Sequence, residues 1–497
     1  MEKIRESKMA EKEELIRIVG GDNVIDDPNI LKEYSRDVSF AHPVRPNFIV
    51  KPKNAADVQA VVKWANEAGI PLVPMSSGPP HFRGDTVPGA DGVVIVDLSR
   101  MKRIIRVDGR NRMAMVEPGV TFAELQPKLK KERLRLNMPM LPRSSKSVVG
   151  SMLEREPVTM PKYHWDIADP MICIEVIFGN GDKFRTGGAA GPGSLEEMWE
   201  VGGAQKVAEG PGQADWYRII QGAQGTMGIV TWASMRCERL PTIEEPFLIG
   251  SENLESLYEF VHWLVRLRLA NECLVLNNSN LAAILAKQWP REYESLRAAL
   301  PPWVLFYCLA GYEYFPEERV AYQIKDMADI ASRLVGVVPV RTISVVSAHD
   351  LLRTLKKPSE EPYWKLRYKG ACQDVLFLTT LDMVPKFVRV MHETAEWHDY
   401  PCAEIGVYIQ PCVQGACCHC EFNLFYNPTD KGEVARVQGL ITNASEALIG
   451  AGAFFSRPYG IAADMAYRRD AETTAALRKL KGIFDPNNVM NPGKLCF

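Results

Sequence analysis

The apolar positions between residues 46 and 235 repeat with two different spacings. The run "NFIVKP" (47–52) is short and apolar, which is typical of a buried strand. In the next stretch, 54–69, apolar residues recur near helical spacing, and Asn54 stands where an N-cap side chain is expected. The pattern therefore predicts a strand followed by an amphipathic helix.

The same alternation continues along the chain. Strands are predicted at 70–78, 92–101 and 113–119, from their short runs of apolar residues bounded by turn residues. The segment "ICIEVIFGNGDKFRTG" (172–187) predicts a hairpin with "GNGD" as its turn. Many short strands with helices between them indicate an α+β or α/β fold.

A second unit is expected after "ERLPTIEEPF" (238–247), whose two prolines and acidic pair are typical of a boundary. Beyond it, 256–270 and 317–336 have the pattern of long helices. The segments 303–311 and 404–411 have the pattern of strands. A chain of 497 residues is long enough for two or three packed domains.

The composition is that of an ordinary globular protein, with 46% hydrophobic and 24% charged residues. A net charge of −2 gives no sign of the basic surface that a nucleic-acid partner requires. The N-terminal stretch is charged and lacks the apolar core of a signal peptide, and no run of about 18 apolar residues predicts a membrane helix. The eleven cysteines therefore predict reduced thiols and a cytoplasmic protein.

Seven motifs follow one another in an order that is known from one flavoprotein superfamily. They are "RPNFIVKPKNAADVQAVVKWANEAGIPLVPMSSG", "GVVIVDLSRMKRIIRVD", "VEPGVTFAEL", "KSVVGSMLERE", "IEVIFGNGDKFRTGG", "QGAQGTMGIVT" and "NPGK". Together they resemble the vanillyl-alcohol oxidase/para-cresol methylhydroxylase (PCMH) superfamily. The resemblance is close over 46–240, moderate over 400–497 and weak over 241–400.

This resemblance implies an α+β fold with a two-subdomain PCMH-type FAD-binding domain and an α+β substrate, or cap, domain. FAD would lie between the two subdomains, and the cap domain would cover its isoalloxazine ring. The expected parts are an N-terminal helical segment (1–45), the FAD-binding domain (46–240), the cap domain (241–445) and a segment that returns to the FAD-binding domain (446–497).

Three loops are expected to hold FAD, because a diphosphate needs backbone N–H donors that bulky side chains do not obstruct. They are "SSGPPHFRGD" (76–85), "PRSSKSVVGS" (142–151) and "GAQGTMGIV" (222–230). The predicted cofactor-binding residues are Ser76, Ser77, Gly78, His81, Phe82, Arg83, Gly84, Pro118, Ser144, Ser147, Val148, Gly150, Ser151, Gly225, Thr226, Gly228, Ile229, Val230, Arg457 and Asn491.

The first loop departs from the glycine-rich pattern of its relatives, since Pro79 and Pro80 each remove a backbone donor. His81 has two interpretations. Some family members tether FAD covalently through a histidine or tyrosine, whereas a turn histidine more commonly faces solvent. Arg83 stands where phenol-oxidising relatives often have an active-site tyrosine, which argues against a simple transfer of their substrate.

The stretch "ACCHCEFNLFYN" (416–427) resembles the strand that crosses the flavin face in this family. In an extended strand, Cys417, His419 and Glu421 share one face, and Cys418 and Cys420 share the other. The cysteines are interpreted as core filler, because their run, which begins at Cys412, lacks the paired spacing of common zinc and iron–sulfur sites.

Three roles are open for His419 at this stage. With Glu421 to orient it, the imidazole suits a general base or a substrate ligand near neutral pH. The resemblance also implies two other roles, a covalent flavin anchor and a ligand of a divalent metal. The "HxGDGNxH" motif of the metal-using 2-hydroxyacid branch is absent, and no metal is predicted.

The segment "FFSRPYG" (454–460) resembles the place where phenol-oxidising relatives carry a tyrosine and an arginine that bind phenolate. Here Arg457 remains, Ser456 takes the tyrosine position, and Tyr459 would restore a phenolic hydroxyl. A guanidinium stabilises a phenolate or a carboxylate. "HWD" (164–166) and Asp169 are further candidates near the ring.

The resulting prediction is an FAD-dependent oxidoreductase that transfers hydride from a para-substituted phenol or hydroxybenzyl-type substrate to flavin N5. The predicted catalytic residues are Arg457, His419, Glu421 and Tyr459. Three alternatives stay open: a 2-hydroxyacid dehydrogenase of the lactate or glycolate type, a flavoprotein subunit of a larger electron-transfer complex, and a scaffold that has lost FAD. The expected partners are a small-molecule substrate, further copies of the chain, and an iron–sulfur, cytochrome or electron-transferring flavoprotein acceptor. No nucleic acid is expected.

Overall fold

A computed structural model describes residues 2–161, 170–211 and 216–497. The helices are α1 (Glu2–Val19), α2 (Pro28–Glu33), α3 (Ala55–Ala68), α4 (Phe122–Lys131), α5 (Val148–Leu153), α6 (Leu195–Glu200), α7 (Tyr217–Ile220), α8 (Tyr258–Arg266), α9 (Asn278–Leu285), α10 (Arg291–Ala299), α11 (Pro316–Ser332), α12 (Ala348–Leu355), α13 (Trp364–Arg367), α14 (Val384–Trp397), α15 (Lys431–Gly450), α16 (Ile461–Tyr467) and α17 (Ala471–Phe484).

The strands are β1 (Val24–Ile25), β2 (Phe48–Val50), β3 (Leu72–Met75), β4 (Val94–Asp97), β5 (Ile104–Asp108), β6 (Met113–Val116), β7 (Leu134–Leu136), β8 (Met171–Phe178), β9 (Lys183–Arg185), β10 (Gly228–Arg239), β11 (Ile243–Ser251), β12 (Ala270–Asn277), β13 (Trp303–Gly311), β14 (Thr342–Ile343), β15 (Val346–Ser347), β16 (Ala371–Thr379), β17 (Gly406–Cys412) and β18 (Cys417–Tyr426). None of the described helices is both long enough and apolar enough to cross a membrane.

The first sheet has the order β1-β2-β4-β3, with β2, β4 and β3 parallel. The predicted helix is confirmed as α3, where the Asn54 side chain accepts a hydrogen bond from the Asp57 amide at 2.9 Å. Val58, Val61 and Val62 on one face of α3 are fully buried. The helix returns the chain so that the carboxyl end of β3 opens into the loop that begins at residue 76. Ligands of open parallel sheets bind at this end of the strands.

The second sheet is antiparallel, with the order β5-β6-β10-β8-β9 and β7 paired to β10. The predicted hairpin is confirmed as β8 and β9, which pair from Glu175↔Arg185 to Ile177↔Lys183 around the "GNGD" turn. Strand β10 begins at Gly228, inside the segment 222–230 that the sequence predicts as the third FAD loop, so the last three residues of that segment are strand.

The third sheet is antiparallel, with the order β11-β13-β12-β17-β18-β16. Helices α8, α11, α14 and α15 pack on one face, and α9, α10, α12 and α13 pack on the other. The predicted alternation along β18 is confirmed. Cys418, Cys420 and Phe422 are buried in the core beneath the first group of helices, whereas the His419 and Glu421 side chains hydrogen-bond to each other on the opposite face.

The core-filler interpretation is confirmed for Cys418 and Cys420, which are 1% and 0% exposed. Cys417 is half-buried and lies opposite Cys412 where the β17–β18 hairpin closes. None of these cysteines forms a disulfide.

The predicted boundary at 238–247 falls between two sheets. Strand β10 of the second sheet ends at Arg239, and β11 of the third begins at Ile243. Pro246 lies inside β11, which is tolerated because β11 is an edge strand and a proline there removes no necessary ladder hydrogen bond.

The segment after α17 packs back against the first two sheets. Met490 forms a bridge with Leu72 of β3. The Asn491 side chain donates to the carbonyl of Asp85 at 2.9 Å and to that of Gln224 at 2.6 Å. This single side chain therefore ties together two of the loops that the sequence predicts around FAD.

Candidate active site

A deep cavity brings together the three predicted loops and the cap domain. Its lining residues come from 74–86, 139–157 and 220–230, and the cap contributes side chains from α13, β16, β17 and β18. Residues far apart in the chain therefore form one site, and most of the predicted site residues lie on its wall. The predicted residues that line it are Ser76, Ser77, His81, Phe82, Arg83, Pro118, Gly150, Gly225, Gly228, Ile229, Val230, Glu421, Arg457 and Tyr459.

The other predicted residues do not line this cavity. Ser147 is typical, since its amide donates to Ser77 Oγ at 2.8 Å and its hydroxyl donates to the Pro118 carbonyl at 2.5 Å. Val148 is part of the core of the second sheet. Such residues join the loops to one another. The predicted residues that do not line this cavity are Gly78, which is exposed, Gly84, which lines an adjoining cavity, and Ser144, Ser147, Val148, Ser151, Thr226, His419 and Asn491.

His81 points into the site. Its Nε2 atom is buried without a hydrogen-bond partner, and burial lowers the pKa of the ring to about 3. The interpretation of His81 as a solvent-facing turn residue is therefore wrong. A neutral imidazole with a free nitrogen on the cavity wall is able to exchange a hydrogen bond with a bound group.

Four charged side chains form a half-buried cluster on the FAD-domain side of the cavity. The Lys146 ammonium lies 2.9 Å from both Glu154 and Glu156, and the Arg83 guanidinium lies 3.2 and 3.4 Å from the same two carboxylates. Burial raises the pKa of Glu156, but Lys146 and Arg83 more than offset this and lower it to about 2. Arg83 also stacks on the Tyr459 ring, with 5.1 Å between guanidinium and centroid. Its charge is therefore already neutralised by the protein.

A second cluster lies on the cap side. Lys365, on α13, donates to Asp374 Oδ2 at 2.7 Å and to Glu421 Oε1 at 2.6 Å. The Asn423 amide donates to both carboxylates at 2.7 Å. Burial raises the pKa of Glu421, but Lys365 and the hydrogen bond from His419 leave it well below its usual range. The side chain of Glu421 is thus a fixed anion.

His419 lies between that anion and Arg457. Its Nε2 is 3.2 Å from Glu421 Oε2, and its Nδ1 is 3.4 Å from an Arg457 nitrogen. Burial lowers the pKa of the ring to about 4, although the bond to Glu421 opposes this change. A neutral ring with its proton on Nε2 satisfies both neighbours, because Arg457 can only donate and Glu421 can only accept.

Arg457 is 3% exposed, and its polar contacts are to uncharged groups. They are the Glu154 backbone carbonyl at 3.4 Å and His419 Nδ1, while its Nε is buried without a partner. Burial and the nearby Arg83 both lower the pKa of Arg457. No carboxylate among the described residues forms an ion pair with it. A buried cation in this state gains stability from a bound anion.

Sequence reasoning missed the charged residues that complete the site. Lys146, Glu154, Glu156, Lys365 and Asp374 all line the cavity. Three of them, Lys146, Glu154 and Glu156, lie within the "KSVVGSMLERE" motif, where charged residues alone are more typical of a solvated helix end. The candidates "HWD" (164–166) and Asp169 lie outside the described residues.

Comparison with known proteins agrees with this geometry. Residues 46–187 match the family model of the FAD binding domain, and residues 379–495 match that of the C-terminal domain of FAD linked oxidases. The crystal structure of p-cresol methylhydroxylase with substrate bound superposes with a TM-score of 0.82 at 19% identity, over 99% of this chain and 97% of that one. The chain belongs to the FAD-linked oxidases and has the fold of p-cresol methylhydroxylase.

Two curated relatives are named for different substrates. The flavoprotein is 23% identical to glycolate oxidase subunit GlcD of Bacillus subtilis, over 97% of this chain and 96% of that protein. It is 30% identical to the 4-cresol dehydrogenase flavoprotein subunit of Pseudomonas putida, over 51% of this chain and 47% of that protein. The flavoprotein is thus an FAD-linked oxidoreductase.

The residues of the cavity fit FAD. The free Nε2 of His81 supplies a hydrogen-bonding group on the wall. Close packing fixes the loops around it: a Cβ added to Gly150 would meet Ser76 Oγ at 2.7 Å, and one added to Gly225 would meet Pro74 Cγ at 2.5 Å. The cofactor would therefore be held by Ser76, Ser77 and the backbone of 222–230. The contacts around Gly150 and Gly225 leave no space there for larger side chains.

Replacing Gly225 with alanine is expected to weaken FAD binding about tenfold, since overpacking costs about 1–3 kcal/mol and about 1.4 kcal/mol is a factor of ten. Gly225 has φ +74°, so the substitution also adds backbone strain. G202A is the matched control, because Gly202 has φ +88° but nothing within 4 Å of its added Cβ. Titration of apoprotein with FAD measures both. Equal affinities for G225A and G202A would show that strain, and not the close approach to Pro74, sets the effect.

Replacing His419 with glutamine is expected to make the free energy of unfolding depend less on pH in the acidic range. The pKa of a histidine in the unfolded chain is about 6.5, and the pKa of His419 in the folded protein is about 4. Between these two pH values the unfolded state therefore binds more protons than the folded state. The wild type therefore loses stability as pH falls from about 6.5 to about 4, and H419Q should lose less. Urea unfolding at several pH values measures this, with the exposed His349 replaced in H349Q as control. Parallel curves for wild type and H419Q would contradict the assignment.

Proposed function

We propose that the flavoprotein oxidises a para-substituted phenol or hydroxybenzyl-type compound that is bound as its phenolate by Arg457. The observation that carries the proposal is the buried guanidinium of Arg457, which none of the described carboxylates neutralises. The neighbouring Arg83 differs, because Glu154 and Glu156 already balance its charge. Arg143 also lines the cavity, is 4% exposed and forms no ion pair with a described carboxylate. It belongs to the predicted FAD loop 142–151, so Arg457 is the cation that we assign to the substrate.

Arg457 would favour the ionised form of a bound phenol, since an adjacent cation lowers the pKa of an acid. With the oxygen already deprotonated, loss of hydride from the benzylic carbon attached at the para position leaves a neutral quinone methide. No protein base is then required at the oxidation step. Bound FAD supplies the hydride acceptor at N5, while the protein supplies orientation and electrostatics.

His419 is proposed as a positioning residue for Arg457. Both of its ring nitrogens are engaged, one toward Glu421 and one toward the guanidinium. The chain Lys365–Glu421–His419 fixes the tautomer of the ring and presents Nδ1 to Arg457. The guanidinium beside Nδ1 would also repel a divalent metal, which disfavours the metal-ligand role of His419.

A 2-hydroxy acid of the glycolate type is the second candidate. It is favoured by the alignment with the glycolate oxidase subunit, which covers 97% of the chain. A guanidinium binds a carboxylate as well as a phenolate. Oxidation of an alcohol requires that a base also remove the hydroxyl proton, and the engaged nitrogens of His419 do not offer one. The phenol is therefore ranked first.

The electron acceptor is proposed to be a partner protein. The 4-cresol dehydrogenase relative is named as a flavoprotein subunit, which fits a chain that passes its electrons to another subunit. Reduced flavoprotein would then react slowly with oxygen and rapidly with a dye acceptor.

Anaerobic mixing of the FAD-loaded protein with single substrates tests the proposal. 4-Hydroxybenzyl alcohol and 4-alkylphenols are expected to bleach the visible flavin band, whereas glycolate and D-lactate leave it unchanged. Bleaching by the hydroxy acids alone would replace the first candidate with the second. If dithionite reduces the flavin but no compound of either class does, both candidate functions are wrong.

A further inference from the structure

A second cavity adjoins the active site and opens to solvent. It has a volume of about 450 Å³. A cavity of about 150 Å³ already accommodates benzene, so this space admits a small aromatic compound. It shares Phe82, Arg83, Asp374, Arg457 and Tyr459 with the first cavity. The two spaces are therefore neighbours that one layer of side chains separates.

One face of α15 forms a wall of the second cavity. Gln438, Ile441, Thr442 and Ser445 all line it, and their spacing places them on one side of the helix. Gln438 is exposed and Ser445 is buried. The wall therefore runs from the protein surface inward to the Arg83–Tyr459 pair and Arg457.

The mouth of the second cavity carries a cation. Lys494 lines it, is half-buried, and forms no ion pair with any described carboxylate. Asp85 and Asp37 attract it only from a distance, and burial lowers the pKa of its ammonium. The lining also contains two carboxylates, Asp374, which is paired with Lys365, and the exposed Asp464. Against Asp464 stand two lining cations without a described ion pair, Lys494 and Arg457. Cations placed in sequence along a cleft raise the arrival rate of anions.

We propose that the second cavity is the passage through which an anionic substrate reaches the active site, with Lys494 as its outer recognition group. The Arg83–Tyr459 pair, whose hydroxyl and guanidinium lie 3.4 Å apart, would form the partition at its inner end. This inference rests on the proposed function only in taking the substrate to be an anion. In this proposal Lys494 captures the substrate from solvent, and Arg457 retains it in the active site.

Stopped-flow reduction of the FAD-loaded protein by dithionite, itself an anion, tests the passage without any assumption about the substrate. T442W places an indole in the passage and is expected to slow reduction about tenfold. A447W is the control on the same helix, because Ala447 is exposed and does not line the cavity. Flavin content and thermal unfolding establish that each variant is folded.

K494Q tests the recognition group independently of any blockage. It should slow reduction about fivefold at low salt, with a weaker dependence on ionic strength than the wild type, since screening acts on the charge that was removed. K479Q changes net charge equally at an exposed position outside the cavity. Wild-type rates in T442W would overturn the passage. Wild-type rates and salt dependence in K494Q would overturn the role of Lys494. Neither result depends on which compounds reduce the flavin.

Discussion

Replacing Arg457 with glutamine is expected to lower kcat/KM for the phenolic substrate about 100-fold or more. Removing one member of a buried charge pair costs about 2–5 kcal/mol, and about 1.4 kcal/mol corresponds to a factor of ten. The variant should recover part of its activity toward about pH 10, where phenols ionise in solution without help. Steady-state kinetics across pH measures both effects.

Two comparisons sharpen this test. R457K retains the positive charge but not the planar guanidinium with its paired donors. Its loss of kcat/KM should therefore be smaller than that of R457Q. R468Q removes an exposed arginine of the same segment, whose partner Glu446 lies 3.2 Å away, and should behave as the wild type. If R457Q stays within about threefold of the wild type, a difference below about 1 kcal/mol, Arg457 does not hold the substrate anion.

Replacing Lys365 with methionine is expected to destabilise the folded protein by about 3–5 kcal/mol at neutral pH, because it leaves two buried carboxylates without their cation. Asp374 and Glu421 are 2.7 and 2.6 Å from the ammonium. Glu421 contributes stability above the unfolded glutamate pKa of about 4.3 and loses it as pH falls through its lowered folded pKa. The difference between wild type and K365M should therefore shrink below about pH 5.

Denaturant unfolding at neutral and acidic pH measures this difference. K369M provides a matched control, since Lys369 pairs with Glu404 at 2.7 Å but its side chain is 22% exposed, against 8% for Lys365. A partly exposed pair is worth about 1 kcal/mol or less. Equal losses in the two variants, or a K365M loss that does not change with pH, would show that the Lys365 cluster is not a buried ionic network.

Local sequence patterns were sufficient to predict elements that depend only on residues close together in the sequence. The spacing of Val58, Val61 and Val62 predicts α3, and the turn between β8 and β9 predicts their hairpin. Alternation along β18 places His419 and Glu421 together because a strand has a fixed period of two. These elements needed no knowledge of the rest of the chain.

The ionic clusters could not be predicted in this way. Lys365 meets Glu421 only because the register of β16 against β18 sets Asp374 opposite Asn423. Lysine is rarely buried, so a lysine in a short helix gives no local signal of an interior position. Arg83 and Glu156 likewise meet across a long stretch of sequence. Motif matching located the loops, but it could not separate the residues that face the cavity from those that join one loop to another.

The return of residues 485–491 to the first two sheets also bears on how the protein is made. Leu72 pairs with Met490, and Asn491 joins the loops at Asp85 and Gln224. A ribosome synthesises the first loop more than four hundred residues before it adds Asn491. Folding that proceeds along the nascent chain can build the parallel sheet early, but it cannot close the cofactor site. We therefore expect FAD to be captured late in biogenesis, after most of the chain has been synthesised.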